Sequence, residues 1–198
     1  MRATRQGAPE FVALWKPAQF QNNPRLRLEG AKITFMGTEA GSIAGELDRS
    51  WRGGGWSGLG LREILAGVDE TSAAWKPPAE GVHSIWELLL HASCWERSVL
   101  ARARGEENTP SDAENFSAPV GSWEGALSDA DALHDSLVTA VRTLSLEKLG
   151  TRAAGCPYSV RFMLHGVAQH NLYHAGQMAL MKKLLPTYAR SNGDSSPR

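Results

Sequence analysis

The sequence has only two cysteines, Cys94 and Cys156, in 198 residues. Two cysteines are too few for the disulfide framework of a small secreted domain. No apolar run approaches the roughly 20 residues that a transmembrane helix needs. The N-terminus carries arginine but lacks the apolar segment of about 7–15 residues that marks a signal peptide. We therefore expect a soluble, cytoplasmic protein with no membrane partner.

The chain also lacks net charge, because 21 Lys and Arg balance 21 Asp and Glu. A zero balance provides no general attraction to nucleic acid, so no nucleic-acid partner is expected. The charge is unevenly spread: residues 1–35 carry six Lys or Arg and two Glu, which gives +4 and leaves −4 for residues 36–198. Residues 1–35 show no helical or strand period. We expect a poorly ordered extension there, with a start at Met36 or a targeting segment as alternatives.

No strong strand pattern occurs, and helical periods dominate from Thr38 onward. Apolar residues at a spacing of four, from Ile43 to Trp51, predict a first long helix. A glycine-rich break follows, then a shorter helix over residues 59–68. Residues 71–81 are predicted to be a connector, because Pro77 and Pro78 oppose helix continuation.

Three further long helices complete the pattern. Ser84 and Glu87 form a capping box that starts a helix ending near Gly105. After a long polar loop over residues 105–122, which is typical of a lid or of disorder, Ser122 caps a helix over residues 123–144. The last helix covers residues 159–185 and ends at Pro186. We predict an all-α four-helix bundle with one short extra helix over residues 36–186, followed by a disordered polar tail, 187–198.

The last helix holds three histidines within "HGVAQHNLYHAGQ" (165–177). On a wheel of about 100° per residue, His170 and His174 lie on the apolar stripe and His165 lies on the opposite side. Histidines at i and i+4 can share one divalent ion. Two separately hydrogen-bonded core histidines are the alternative. The residues alone leave His91 and His134 in competition as a third ligand, with His83 and Cys94 less suited.

The chain resembles the DinB-like (DinB/YfiT) superfamily of metal-dependent four-helix-bundle proteins. The resemblance spans residues 38–185 and is carried by "SIWELLLHASCWE" (84–96), "LHGVAQHNLYHAGQ" (164–177) and "GGGWSGLGLREIL" (53–65). It implies that His91, His170 and His174 bind a divalent metal, and it favours His91 over His134. Many relatives carry a histidine directly after the tryptophan of the 53–65 segment, where this chain has Ser57.

The resemblance also implies a function. Three imidazole ligands leave an open coordination position and suit zinc, nickel or iron. Members of the superfamily include thiol S-transferases and thiol-dependent isomerases, so we expect an enzyme that transfers a low-molecular-weight thiol to a small-molecule electrophile. A hydrolase, a stress-associated metal- or ligand-binding protein, and a dimerisation module are the alternatives. Homodimerisation is expected.

Further site residues are predicted around the triad. Tyr173 is the candidate catalytic residue, and Gln177, Trp56, Trp95 and Tyr173 are candidates for orienting the ligands or lining a pocket. Plain core packing is the alternative for the aromatic residues.

Overall fold

The computed structural model describes residues 37–193, with side chains to residue 185. The predicted extension over residues 1–35 and the end of the predicted tail lie outside the described residues. Within residues 37–193 the chain is all-α, as predicted. The helices are α1 (Glu39–Arg52), α2 (Leu61–Leu65), α3 (Glu70–Ala74), α4 (Ile85–Arg104), α5 (Asp112–Asn115), α6 (Trp123–Arg142), α7 (Leu146–Gly150) and α8 (Val160–Gly193).

Four long helices form the bundle. Helices α1 and α4 each pack against both α6 and α8. The apolar faces of all four meet in two buried clusters stacked along the bundle. One cluster includes Ile43, Leu47 and Leu164, and the other includes Trp51 and Trp123. No helix in the described part of the chain is long and apolar enough to span a membrane.

Hydrogen bonds confirm the predicted starts of α1, α4 and α6 and the predicted end of α4. Thr38 Oγ1 accepts from the Gly41 amide at the start of α1. Ser84 and Glu87 form the capping box of α4, and Ser122 accepts from Gly125 at the start of α6. At the end of α4, Gly105 adopts φ 100°, the left-handed conformation that glycine adopts at little cost.

Several local predictions were wrong. The predicted connector over residues 71–81 holds most of α3, because Asp69 caps the Ser72 amide and the prolines act only from Pro77 onward. Helix α8 continues to Gly193 instead of ending at Pro186. A proline removes one backbone donor, which disfavours a helix but does not by itself end one. The short helices α5 and α7 were not predicted.

The polar loop over residues 105–122 is ordered along α4. Ser98 Oγ donates to the Asn108 carbonyl at 2.5 Å, and Arg102 Nη2 donates to Thr109 Oγ1 at 2.8 Å. Further along, Trp95 Nε1 donates to Asn115 Oδ1 at 2.9 Å. These bonds hold the loop beside α4, where Asn115 and Phe116 contact His91.

Candidate metal centre

Three histidines from two helices meet inside the bundle. His91 comes from the middle of α4, and His170 and His174 come from successive turns of α8. The Nε2 atom of His170 lies 3.0 Å from Nε2 of His91 and 3.0 Å from Nε2 of His174. We call this group the three-histidine cluster. His91 and His174 are buried and His170 is half-buried.

Hydrogen bonds fix the tautomers of two of the imidazoles. His91 Nδ1 lies 2.7 Å from the Asn115 carbonyl, which only accepts, so this nitrogen carries the proton. His174 Nδ1 lies 2.6 Å from Gln177 Oε1 and donates to it in the same way. The Nε2 atoms of both neutral rings therefore present lone pairs toward the centre of the cluster.

The environment keeps the rings neutral. Burial, together with the neighbouring imidazoles of His174 and His91, lowers the pKa of His170 to about 3. Burial also lowers the pKa of His91 and of His174, against the opposing effect of their Nδ1 hydrogen bonds. Neutral imidazole is the form that binds metals, so the cluster is in its ligating state at neutral pH.

The donor set fits a divalent cation. Three nitrogens that bind zinc tetrahedrally at 2.0–2.1 Å lie about 3.4 Å from one another, close to the two observed distances of 3.0 Å. All three ligating atoms lie within 4.8 Å of one another. The buried Nδ1 of His170 has no hydrogen-bond partner among the described residues. Three imidazoles accommodate zinc, nickel or iron.

His134, the competing third ligand, belongs to a different group. Its Nδ1 donates to Glu96 Oε1 at 2.8 Å, and both side chains are fully buried. Asn171 Nδ2 donates to the same Glu96 oxygen at 2.7 Å and lies 3.5 Å from Ser50 Oγ. This polar network (Ser50, Glu96, His134, Asn171) draws one residue from each long helix.

The remaining cluster candidates also lie elsewhere. His165 points away from the cluster, as the wheel predicted, and its Nδ1 lies 2.8 Å from Glu46 Oε2. Cys94 is a free, buried cysteine, and burial raises the pKa of its thiol. His83 contacts Glu87 at 3.6 Å. Among residues 37–185, the metal-ligating side chains brought together are therefore His91, His170 and His174.

The family model of the DinB superfamily matches residues 60–178. That match covers more than half of the chain and includes all three histidines. The chain belongs to the DinB superfamily. No curated protein matches it significantly.

In this DinB protein the other predicted site residues take different positions. Gln177 contacts the cluster directly, through its bond to His174. The Tyr173 ring packs edge-on against His174 with centroids 5.1 Å apart, while 65% of the residue is exposed. Trp56 is 83% exposed, at the surface of the molecule. Trp95 lies nearer the cluster, with its ring 6.2 Å from that of His170.

Two residues that sequence reasoning missed hold His91 in place. The Asn115 carbonyl accepts its Nδ1 proton. The Phe116 ring lies between the rings of His83 and His91, parallel to both, with centroid distances of 3.9 and 4.1 Å. Both missed residues belong to the polar loop, which carries no helical period. The aromatic side chain of Phe116 could have indicated a buried contact, because the rest of this segment is mostly polar.

A cavity of about 180 Å³ adjoins the cluster. It lies between α4 and α8, and His170 and Trp95 form part of its wall. The lining is mostly apolar, and Arg102 is its charged member. The DinB bundle therefore places a small apolar chamber directly beside one of the three candidate ligands.

Proposed function

We propose that the protein is a metal-dependent enzyme that transfers a low-molecular-weight thiol to a small electrophile. The observation that carries this proposal is the convergence of three neutral imidazole nitrogens beside an apolar cavity. His91, His170 and His174 hold the metal, and three protein ligands leave a coordination position for a reactant. A bound divalent cation supplies Lewis acidity, which favours the deprotonated form of a coordinated thiol.

The protein's own residues contribute positioning and exclusion of water. The Asn115 carbonyl and Gln177 Oε1 hold two imidazoles in the tautomer that turns Nε2 inward. Phe116 covers one face of His91. The apolar cavity wall beside His170 accepts the body of the electrophile and keeps it next to the cluster.

The transfer balances without an added oxidant or reductant. The thiol sulfur forms a bond to the electrophilic carbon, using the electron pair left when its proton departs to solvent. The bond between that carbon and the leaving group breaks, and its electron pair leaves with the group. The products are a thioether and the protonated or anionic leaving group.

The absence of a nearby carboxylate favours thiol transfer over hydrolysis. Metal-assisted hydrolysis commonly uses a glutamate as general base beside the metal. Within residues 37–185, the candidate ligand atoms that lie within 4.8 Å of one another belong to three histidines and to no carboxylate. A metal-coordinated thiol needs no such base, because coordination alone deprotonates it.

The proposal is tested first by metal analysis of protein purified without a histidine tag. We expect about one equivalent of a divalent metal, lost in His91→Ala and in His170→Ala. His165→Ala is the matched control, since His165 lies on the same helix and faces Glu46. Unchanged metal content in His91→Ala would overturn the ligand assignment.

Turnover is tested next, with bacillithiol, mycothiol and glutathione against a panel of electrophiles. We expect one thiol to accelerate electrophile consumption in the metal-loaded protein and not in His170→Ala. Consumption without any thiol, at the same rate, would indicate a hydrolase instead. A protein that binds metal and consumes no electrophile would be a binding protein, the non-catalytic alternative.

Homodimerisation remains part of the proposal. Four exposed apolar side chains lie on one face of α8, within about 40° of one another on the helical wheel: Phe162, Tyr173, Leu180 and Leu184. An exposed apolar stripe of this kind favours contact with another protein surface. Sedimentation analysis should give a dimer that Leu180→Glu converts to a monomer, and a wild-type monomer would contradict it.

A further inference from the structure

Arg102 is a buried arginine that forms no ion pair with a carboxylate of the described residues. It lies near the end of α4 and only 6% of the residue is exposed. Arginine is rarely buried to this degree unless a negative charge pairs with it. Among the ion pairs of residues 37–185, none joins Arg102 to a carboxylate. No carboxylate of residues 37–185 therefore supplies compensating negative charge to Arg102.

The hydrogen bonds of Arg102 leave part of its guanidinium unused. Nη1 donates to Cys156 Sγ at 2.7 Å and Nη2 donates to Thr109 Oγ1 at 2.8 Å. Nε is buried and has no hydrogen-bond partner among residues 37–185. The guanidinium presents its N–H donors as a rigid planar fork that matches the two oxygens of a carboxylate.

Arg102 also lines the cavity beside His170. That cavity measures about 180 Å³, and a dry apolar cavity of about 150 Å³ accepts a guest the size of benzene. Trp95 lines the part of the cavity near His170, and Arg102 follows seven residues later on α4. Seven residues of helix span about 10 Å, the length of a small organic acid.

We propose that this cavity binds a small carboxylate, with its apolar body between α4 and α8 and its carboxylate paired with Arg102. The rest of the lining agrees with this ligand. Tyr158, a neighbour of Arg102 in the wall, has its pKa raised by its hydrogen bond to Cys156 and by burial, so it adds no negative charge against an anion. The end of the ligand away from Arg102 faces His170.

The identification of this carboxylate as the electrophilic substrate rests on the proposed function, whereas its binding does not. Binding requires the cavity and Arg102, and neither is a candidate metal ligand. The substrate class that follows is a small electrophile with an apolar body that carries a carboxylate at the end opposite its reactive carbon.

The test compares carboxylates with their uncharged amides. The full chain is titrated with hexanoate and phenylacetate, and with hexanamide and phenylacetamide, by isothermal titration calorimetry. A hydrogen-bonded charge pair should make each carboxylate bind about 10- to 100-fold more tightly than its amide. Arg102→Gln should remove this preference, and Arg104→Gln, the same change at an exposed position of α4, should preserve it.

A second variant avoids disturbing the buried arginine. A Cβ added at Gly166 meets no atom within 4 Å, and Gly166 lines the cavity. Gly166→Leu should therefore fill the cavity, keep the fold, and weaken carboxylate and amide alike by at least about tenfold. Gly176→Leu is the matched control, because its Cβ also meets no atom within 4 Å and Gly176 is not a cavity residue.

Two results would overturn the proposal. The first is equal binding of carboxylate and amide by the wild-type chain. The second is a carboxylate preference that survives in Arg102→Gln. If the wild type shows no preference and Cys156→Ser does, the group that occupies Arg102 is Cys156, whose Sγ accepts from Nη1.

The metal content of the same samples separates this proposal from the proposed function. A carboxylate preference in protein treated with a chelator supports the subsite even if no thiol transfer is found. Equal binding of carboxylate and amide by wild-type protein that still binds metal overturns the carboxylate site. That result leaves the assignment of the metal centre unaffected.

Discussion

Acidification should destabilise the metal-free protein through the three-histidine cluster. An unfolded histidine has a pKa near 6.5, and folding lowers the pKa of His170 to about 3. Between pH 6.5 and pH 3 the imidazole is protonated in the unfolded chain and neutral in the folded chain. The free energy of unfolding therefore falls as the pH falls. At pH 5 the loss from this ring is about 2 kcal/mol relative to pH 7, and partial exposure of the ring reduces it to about 1 kcal/mol. His91 and His174 act in the same direction because their pKa values are also lowered.

The assay is urea denaturation of chelator-treated protein at pH 7 and pH 5, for the wild type and for His170→Gln. The variant lacks the ring that resists protonation, so it should lose about 1 kcal/mol less than the wild type between the two pH values. Equal m-values in both proteins serve as the control that the unfolding transition is the same. An identical loss of stability in the wild type and in His170→Gln would refute the reasoning, because it would place the pH dependence outside this ring.

The remaining predictions concern the residues that support the site and the fold. Gln177→Met removes the acceptor for His174 Nδ1 and should weaken metal binding about 10- to 100-fold in competition with a chromophoric chelator; unchanged affinity would show that Gln177 only packs. His134→Ala removes the imidazole donor from the buried Glu96 Oε1 and should lower the free energy of unfolding by about 1–3 kcal/mol, and no loss in urea denaturation would contradict a stabilising role for this hydrogen bond. Ser84→Ala removes the capping box of α4 and should cost about 1 kcal/mol in the same assay, whereas no loss would mean that α4 starts without this cap.

The long helices were predictable because their signals are local. A capping side chain needs only the amide three residues later, so Thr38, Ser84 and Ser122 mark helix starts from sequence alone. The apolar period then defines the buried face. Helix α3 carries a local signal of the same kind, the Asp69 cap on the Ser72 amide, but the prediction gave more weight to Pro77 and Pro78. The continuation of α8 past Pro186 was missed because a proline disfavours a helix without always ending it.

The site was predictable only in part, for a related reason. The wheel placed His170 and His174 inward and His165 outward, because all three share one helix and one period. The remaining histidine of the cluster, His91, lies on α4. The residues alone did not decide between His91 and His134 for this place. Asn115 and Phe116 were missed because their contacts depend on how the loop over residues 105–122 folds back onto α4.

The contacts around His134 differ from those of the three-histidine cluster in how donors meet acceptors, and this difference bears on which histidines are candidate metal ligands. In the polar network, His134 Nδ1 donates a hydrogen bond to a Glu96 oxygen, so a donor meets an acceptor at that contact, while His134 Nε2 and Glu96 Oε2 are buried without a hydrogen-bond partner among the described residues. In the three-histidine cluster, the Nδ1–H groups of His91 and His174 donate hydrogen bonds away from the cluster, to the Asn115 carbonyl and to Gln177 Oε1. Their inward Nε2 atoms both face His170 Nε2 at 3.0 Å, and at most one proton is available for these two contacts. A buried set of acceptors that lacks donors is stabilised by a cation at its centre, which is why the outward hydrogen bonds, more than the histidine spacing, argue for a metal.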